Sequence, residues 1–174
     1  MVQSLEIVFG NRICWRILKL FLDNSRREFY GREVQQKVGA ARASTCKWLR
    51  TLEQLGFIST TRRGRLKLHR LNRENPLVKQ LKVLSMMGSL LPKLEMLKYE
   101  GEIYLYGSEA RGEGLEDSDL DILVIGRERA VINKIEAIDK RVKVSFFTPL
   151  EWAKIAREDP AFYERVERDK IRLV

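Results

Sequence analysis

Between Glu102 and Val124 the chain reads EIYLYGSEARGEGLEDSDLDILV, and no other stretch constrains the fold as much. Glu102–Tyr106 has the composition of a strand and runs directly into Gly107-Ser108, a turn. Glu109–Gly112 is helix-like, a polar loop follows, and Ser118–Val124 returns as a second strand. Side chains two apart on a strand share a face, so Asp119 and Asp121 are expected to project together. Two carboxylates beside a Gly-Ser turn have a clear chemical use. The pair can hold Mg²⁺ (or Mn²⁺), the glycine lets backbone approach a phosphate, and the serine hydroxyl donates to it. The short helix after the turn would aim its first amides at the same anion.

The rest of the composition narrows the alternatives. At 174 residues and 44% apolar, the chain can build one ordinary domain or two small ones. No run approaches the roughly 20 apolar residues of a membrane span. The start, MVQSLEIVFGNR, has no basic segment ahead of a long apolar one. A cytoplasmic protein with no membrane partner is therefore expected. His69 is the only histidine, which disfavours a His-rich metal site and a Ser-His-Asp triad. Cys14 and Cys46 both sit in helix-like apolar patterns and are expected as buried free thiols. Any metal must then be held by carboxylates.

Charge divides the chain. Residues 1–75 hold 16 Lys and Arg against 6 Asp and Glu, whereas residues 101–174 hold 13 against 16. A basic half joined to a slightly acidic one suggests two modules, the first facing a polyanion. Helical periodicity marks about Asn11–Leu22, Gly31–Val38 (stopped by Gly39) and Ala41–Leu55 (stopped by Gly56). Phe57-Ile58-Ser59 then starts a strand, Arg63-Gly64 turns, and Arg65–His69 alternates with period two. Taking Cys46, Leu49 and Glu53 as the inner face of the third helix puts Ser44, Lys47, Trp48 and Thr51 outside. A small rotation of that helix would make Trp48 core instead.

Three helices and a basic hairpin, carried by FYGREVQQKVGAARASTCKWLRTLEQLGFI and the Arg-rich segment after it, resemble the winged helix transcription regulators over about residues 10–72. The resemblance implies double-stranded DNA as a partner. Ser44, Lys47 and Trp48 would then face base edges in the major groove, and Arg42 and Arg50 would meet phosphate. Arg62, Arg63, Arg65 and Lys67 on the wing would lie along the backbone or in the minor groove. A winged helix used only for protein contacts is the plainer alternative.

Asn75-Pro76 ends the first module. Leu77, Leu81, Leu84, Met87 and Leu91 follow at helical spacing, with Gly88 and Pro92 interrupting. Two shorter helices or a kinked one are expected over the connecting segment 76–99, packed within the chain or, alternatively, forming a homodimer seam.

The motif in residues 100–174 is similar to that of the minimal nucleotidyltransferases of the DNA polymerase beta superfamily: an apolar residue, Gly-Ser, a spacer of about ten, then Asp-apolar-Asp-apolar. The resemblance implies that Gly107 and Ser108 hold the phosphates of an NTP and that Asp119 and Asp121 bind two Mg²⁺ ions and are catalytic. Arg111 would contact phosphate, while Glu109, Glu113, Glu116 and Asp117 are expected to form a solvated acidic loop. The superfamily's third carboxylate has no counterpart in the later strand RVKVSFF, where Lys143 or Ser145 would stand, depending on register. The expected architecture is α/β (α+β): a winged helix-turn-helix domain at 1–75 and a nucleotidyltransferase-like mixed sheet flanked by helices at 100–174. Three functions follow from it: a DNA-binding nucleotidyltransferase moving a nucleoside monophosphate to an acceptor, a regulator whose weak or inactive domain senses nucleotide, or an antitoxin-type nucleotidyltransferase.

Overall fold

The computed structural model describes residues 3–174; Met1 and Val2, the start of the expected first domain, lie outside the described residues. The chain divides into two compact units, one ending at Leu81 and the other spanning Lys82–Val174.

In the first unit, α1 (Gln3–Phe9) precedes α2 (Arg12–Leu22). Asn11 caps α2, its side chain accepting from the amides of Ile13 and Cys14 at 3.0 Å each. Cys14, Ile17, Leu18, Phe21 and Leu22 form the buried stripe of α2. After β1 (Phe29–Tyr30), α3 (Gly31–Val38) ends on Gly39 at φ +64°, a left-handed position that favours glycine. Next come α4 (Arg42–Gln54), β2 (Ile58–Arg63) and β3 (Leu66–Leu71). The strands form an antiparallel sheet in the order β1-β3-β2.

The face that α4 buries differs from expectation. Thr45, Leu49 and Leu52 point inward, while Cys46 is exposed. Thr45 can be buried because its hydroxyl donates to the carbonyl of Ala41 at 3.1 Å, which removes the cost of burying it. The helix is thus rotated by about one residue from the reading that placed Cys46 inside. Trp48 is half-buried against the core, and Ser44 is half-buried too. Cys14 is buried as expected; both thiols are free.

The helix α5 (Pro76–Leu94) runs through Gly88 and Pro92, so the expected division into two shorter helices does not occur. A mid-helix glycine costs only about 1 kcal/mol, and Pro92 forfeits a single hydrogen bond near the helix end. Burial of Val78 and Leu81 in the first core, and of Leu90 and Leu94 in the second, outweighs both. No described helix is long and apolar enough to cross a membrane.

The second unit is built on a mixed sheet of β4 (Gly101–Leu105), β5 (Leu120–Gly126), β6 (Val142–Phe147) and β7 (Ile171–Arg172) in the order β6-β5-β4-β7. Only the β5–β6 pair is parallel. Between the strands lie α6 (Gly107–Ala110), α7 (Val131–Glu136), α8 (Pro149–Glu158) and α9 (Pro160–Asp169). Ile103, Leu105, Ile122 and Val124 pack with Leu90, Leu94, Val131 and Ile135 in one core layer. Tyr104, Tyr106 and Leu123 pack with Trp152 of α8 and Val166 of α9 in the other. This is an α+β fold, as the strand and helix pattern predicts.

Candidate functional site

The strand–turn–strand unit brings Gly107 against Asp121. Antiparallel pairing of β4 with β5 sets Leu105 opposite Ile122, and the Tyr106 amide donates to the Asp121 carbonyl at 3.0 Å. Gly107 then turns at φ +74°, where a Cβ would stand 2.5 Å from Asp121 Oδ2. The glycine is required twice over, by its backbone conformation and by the carboxylate lying on it. Ser108 is half-buried, and its hydroxyl makes no hydrogen bond among the described residues, which leaves it free to donate.

Asp119 lies just ahead of β5 rather than within it, and is exposed. Even so, the two aspartates sense one another. Burial raises the Asp121 carboxyl above its usual range, and the Asp119 charge raises it further. Arg165 of α9 opposes this. Arg165 is a member of the site that the sequence did not expose, because only the packing of α9 across the sheet brings it there. Its guanidinium also lies 5.5 Å from the centre of the Phe162 ring, which meets Tyr106 edge-on at 6.2 Å.

The parallel register settles the neighbour of Asp121. It pairs Asp121 with Lys143 and Leu123 with Ser145. Alternation along the strands puts Asp121, Lys143 and Ser145 on the same face as Leu123, towards α8 and α9. Ser145 is engaged: its hydroxyl lies 3.0 Å from the Tyr106 hydroxyl. No group of three or more His, Cys, Asp and Glu placed to share a metal exists among the described residues. The donor set at this corner is therefore two carboxylates of like charge, all oxygen. It fits one hard divalent cation whose remaining ligands come from phosphate and water.

Arg111 is bound elsewhere than expected for a free phosphate contact. It donates to Glu113 at 2.9 Å and to Asp169, tying the segment after α6 to the end of α9. Arg168 also donates to Asp169, at 3.0 Å. Glu109 is not part of a solvated loop. It is 4% exposed, and a Cβ on Gly114 would come within 2.2 Å of its carboxyl. Burial raises the Glu109 carboxyl above its usual range, with Lys82 and Arg141 opposing.

In the first unit, Arg42 and Lys47 of α4 are exposed, and Lys47 Nζ lies 4.8 Å from the centre of the Trp48 ring. Arg62, Arg63, Arg65 and Lys67 are exposed on the β2–β3 hairpin, and Arg63 reaches Glu28 at 3.3 Å. The structure thus gathers the expected basic residues on α4 and the hairpin, while half-burying Ser44 and Trp48.

With this geometry in view, comparison with known proteins is informative for the second unit. Residues 89–173 match the family described as the nucleotidyltransferase domain. Over those residues the chain is similar to a nucleotidyltransferase domain. Among solved structures, M. tuberculosis Rv0081 is similar at 17% identity, with 56% of this chain and 91% of that one covered and a TM-score of 0.42. A Sulfolobus solfataricus protein described as a candidate nucleotidyltransferase is similar at 22% identity, over 55% of this chain and 85% of that one, with a TM-score of 0.35. Both likenesses are partial. No curated protein matches the chain.

Proposed function

We propose that the protein binds duplex DNA through its first unit and a nucleoside triphosphate through its nucleotidyltransferase domain, moving a nucleoside monophosphate to an acceptor. The close approach of Gly107 to Asp121 carries the nucleotide half of this reading. A backbone bare of Cβ beside a carboxylate lets a phosphate and its counter-cation share one corner. Asp119 and Asp121 would hold a divalent cation, which when bound supplies positive charge against the triphosphate oxygens. Ser108 would donate its hydroxyl to a phosphate oxygen, and Arg165 would balance the charge on the α9 side. In the transfer, an acceptor oxygen bonds to the α-phosphorus, the bond from that phosphorus to the bridging oxygen breaks, and pyrophosphate leaves while the acceptor loses its proton.

The first unit supports the DNA half of this reading. Its helix order matches a winged helix-turn-helix, and α4 and the hairpin present Arg42, Lys47, Arg62, Arg63, Arg65 and Lys67 to solvent. Magnesium is the cation this chemistry favours, with manganese able to replace it.

One observation favours a second reading, in which the domain binds nucleotide and transfers it slowly or not at all. The strand beside Asp121 offers Lys143 and a hydrogen-bonded Ser145, so no carboxylate there can take the acceptor proton. Incubation with labelled NTPs, Mg²⁺ and candidate acceptors, alongside equilibrium nucleotide binding, separates the two. Transfer that vanishes in the Asp119→Ala/Asp121→Ala variant establishes the transferase. Binding without transfer establishes the sensor, and absence of both removes the nucleotide half altogether.

A further inference from the structure

A cleft of about 600 Å³ opens in the first unit between α3, α4 and the β2–β3 hairpin. Five cations line it: Arg32 from α3, Arg42 and Arg50 from α4, and Arg65 and Lys67 from the hairpin. Glu53 is the single carboxylate among the lining residues. None of the five cations makes an ion pair among the described residues. Like charges gathered in a concavity raise one another's cost, and low-dielectric walls concentrate the field there. Such a cluster is relieved by an anion.

At the base of the cleft lies His69, 6% exposed. Its Nδ1 is 2.9 Å from the Thr60 hydroxyl. Its Nε2 has no hydrogen-bond partner among the described residues and is left for whatever enters the cleft. Tyr30, 40% exposed, also lines the cleft.

We propose that this cleft binds an oligophosphate, meaning two or more linked phosphoryl groups, either as pyrophosphate or as the phosphate chain of a nucleotide. Charge selects the class. Four cations in excess over Glu53 exceed what one phosphate monoester of charge about −2 can balance, whereas linked phosphates carry more. The arginines suit such a ligand because the guanidinium fork matches paired phosphate oxygens. The volume falls in the range of small-ligand sites, about 300–1,000 Å³. Arg42, Arg50, Arg65 and Lys67 are also among the proposed DNA contacts, so oligophosphate and duplex would exclude one another. That competition rests on the DNA reading above; the site does not.

His69 makes the test direct, because it is the only histidine and its imidazole proton signals are unique in the NMR spectrum. The full chain is titrated with sodium pyrophosphate, with ATP, and with inorganic phosphate at matched ionic strength. The expected result is a saturable shift of the His69 signals with pyrophosphate and ATP at least tenfold lower in concentration than with phosphate. The exposed pair Arg32→Ala and Arg50→Ala should weaken that response at least tenfold while leaving the His69 signals of the free protein in place. A tighter response to ATP than to pyrophosphate assigns the ligand as a nucleotide; equal responses assign the phosphate chain alone. Unmoved His69 signals, the same response to all three salts, or a double variant that binds as well as wild type would each overturn the proposal. A DNA gel shift in the same buffers reports on the competition: a His69 response without any DNA binding leaves the site standing and removes the DNA reading.

Discussion

Asp121 on β5 and Lys143 on β6 are register partners across the one parallel strand pair of the second sheet. A carboxylate that a metal site would use therefore has an ammonium-bearing residue for its nearest strand neighbour. Lys143 is exposed and makes no ion pair with Asp121 among the described residues, so the register decides which position would set an added carboxylate beside Asp121.

Replacing Lys143 tests this relationship. Lys143→Asp should raise Mn²⁺ affinity in the presence of nucleotide at least tenfold, as read by electron paramagnetic resonance of the free ion. Ser145→Asp should do less, because it first disrupts the hydroxyl pair with Tyr106. If the two variants behave alike, register does not decide the matter.

Gly107 should tolerate no side chain. Gly107→Ala adds a methyl 2.5 Å from Asp121 Oδ2 at a φ of +74°. Gly64→Ala is the control, since φ there is +60° with nothing within 4 Å. Both should lose about 1 kcal/mol in denaturant titrations from backbone strain. Only Gly107→Ala should lose nucleotide binding by calorimetry.

The hairpin cations should govern the salt dependence of DNA binding. Each phosphate contact contributes about −0.9 to the slope of log affinity against log salt. Arg65 makes no ion pair among the described residues, while Arg63 is 71% exposed and only loosely tied to Glu28. Arg63→Ala with Arg65→Ala should therefore flatten the slope by about one to two. A slope unchanged from wild type would take the hairpin out of the interface.

His69 should make stability depend on pH near neutrality. Burial lowers its pKa from 6.5; Lys67 on its own strand lowers it further, and Glu53 of α4 opposes. The folded state thus holds fewer protons than the unfolded state just below pH 6.5, so stability is full above that pH and falls as pH drops towards the folded pKa. The slope is at most about 1.4 kcal/mol per pH unit. Urea titrations between pH 5 and 7.5 should show this slope in wild type and a smaller one in His69→Gln.

Local chemistry explains what could be read from the residues alone. The Gly31–Val38 helix was legible to the residue because Gly39 caps it. The strand pattern around Gly107 and Asp121 was legible as well, and it carried the fold class. The face of α4 was not, since Thr45 and Cys46 have similar apparent apolarity and the hydroxyl bond to Ala41 tips the choice. Glu109 looked solvated by composition and is buried because Gly114 leaves room for it. Lys143 and Ser145 could not be told apart because register is set by pairing between distant strands.

The last helix has a consequence for how short a working version of this domain can be. Arg111 reaches Asp169, Tyr106 meets Phe162, Arg165 acts on Asp121, and β7 completes the β4 edge. A gene cut before Pro160 would still encode the glycine, the serine and both aspartates, so a motif search would score it as intact. Its product would nonetheless lose these supports around the turn and Asp121. Minimal fragments for crystallisation or fusion should therefore run through Val174.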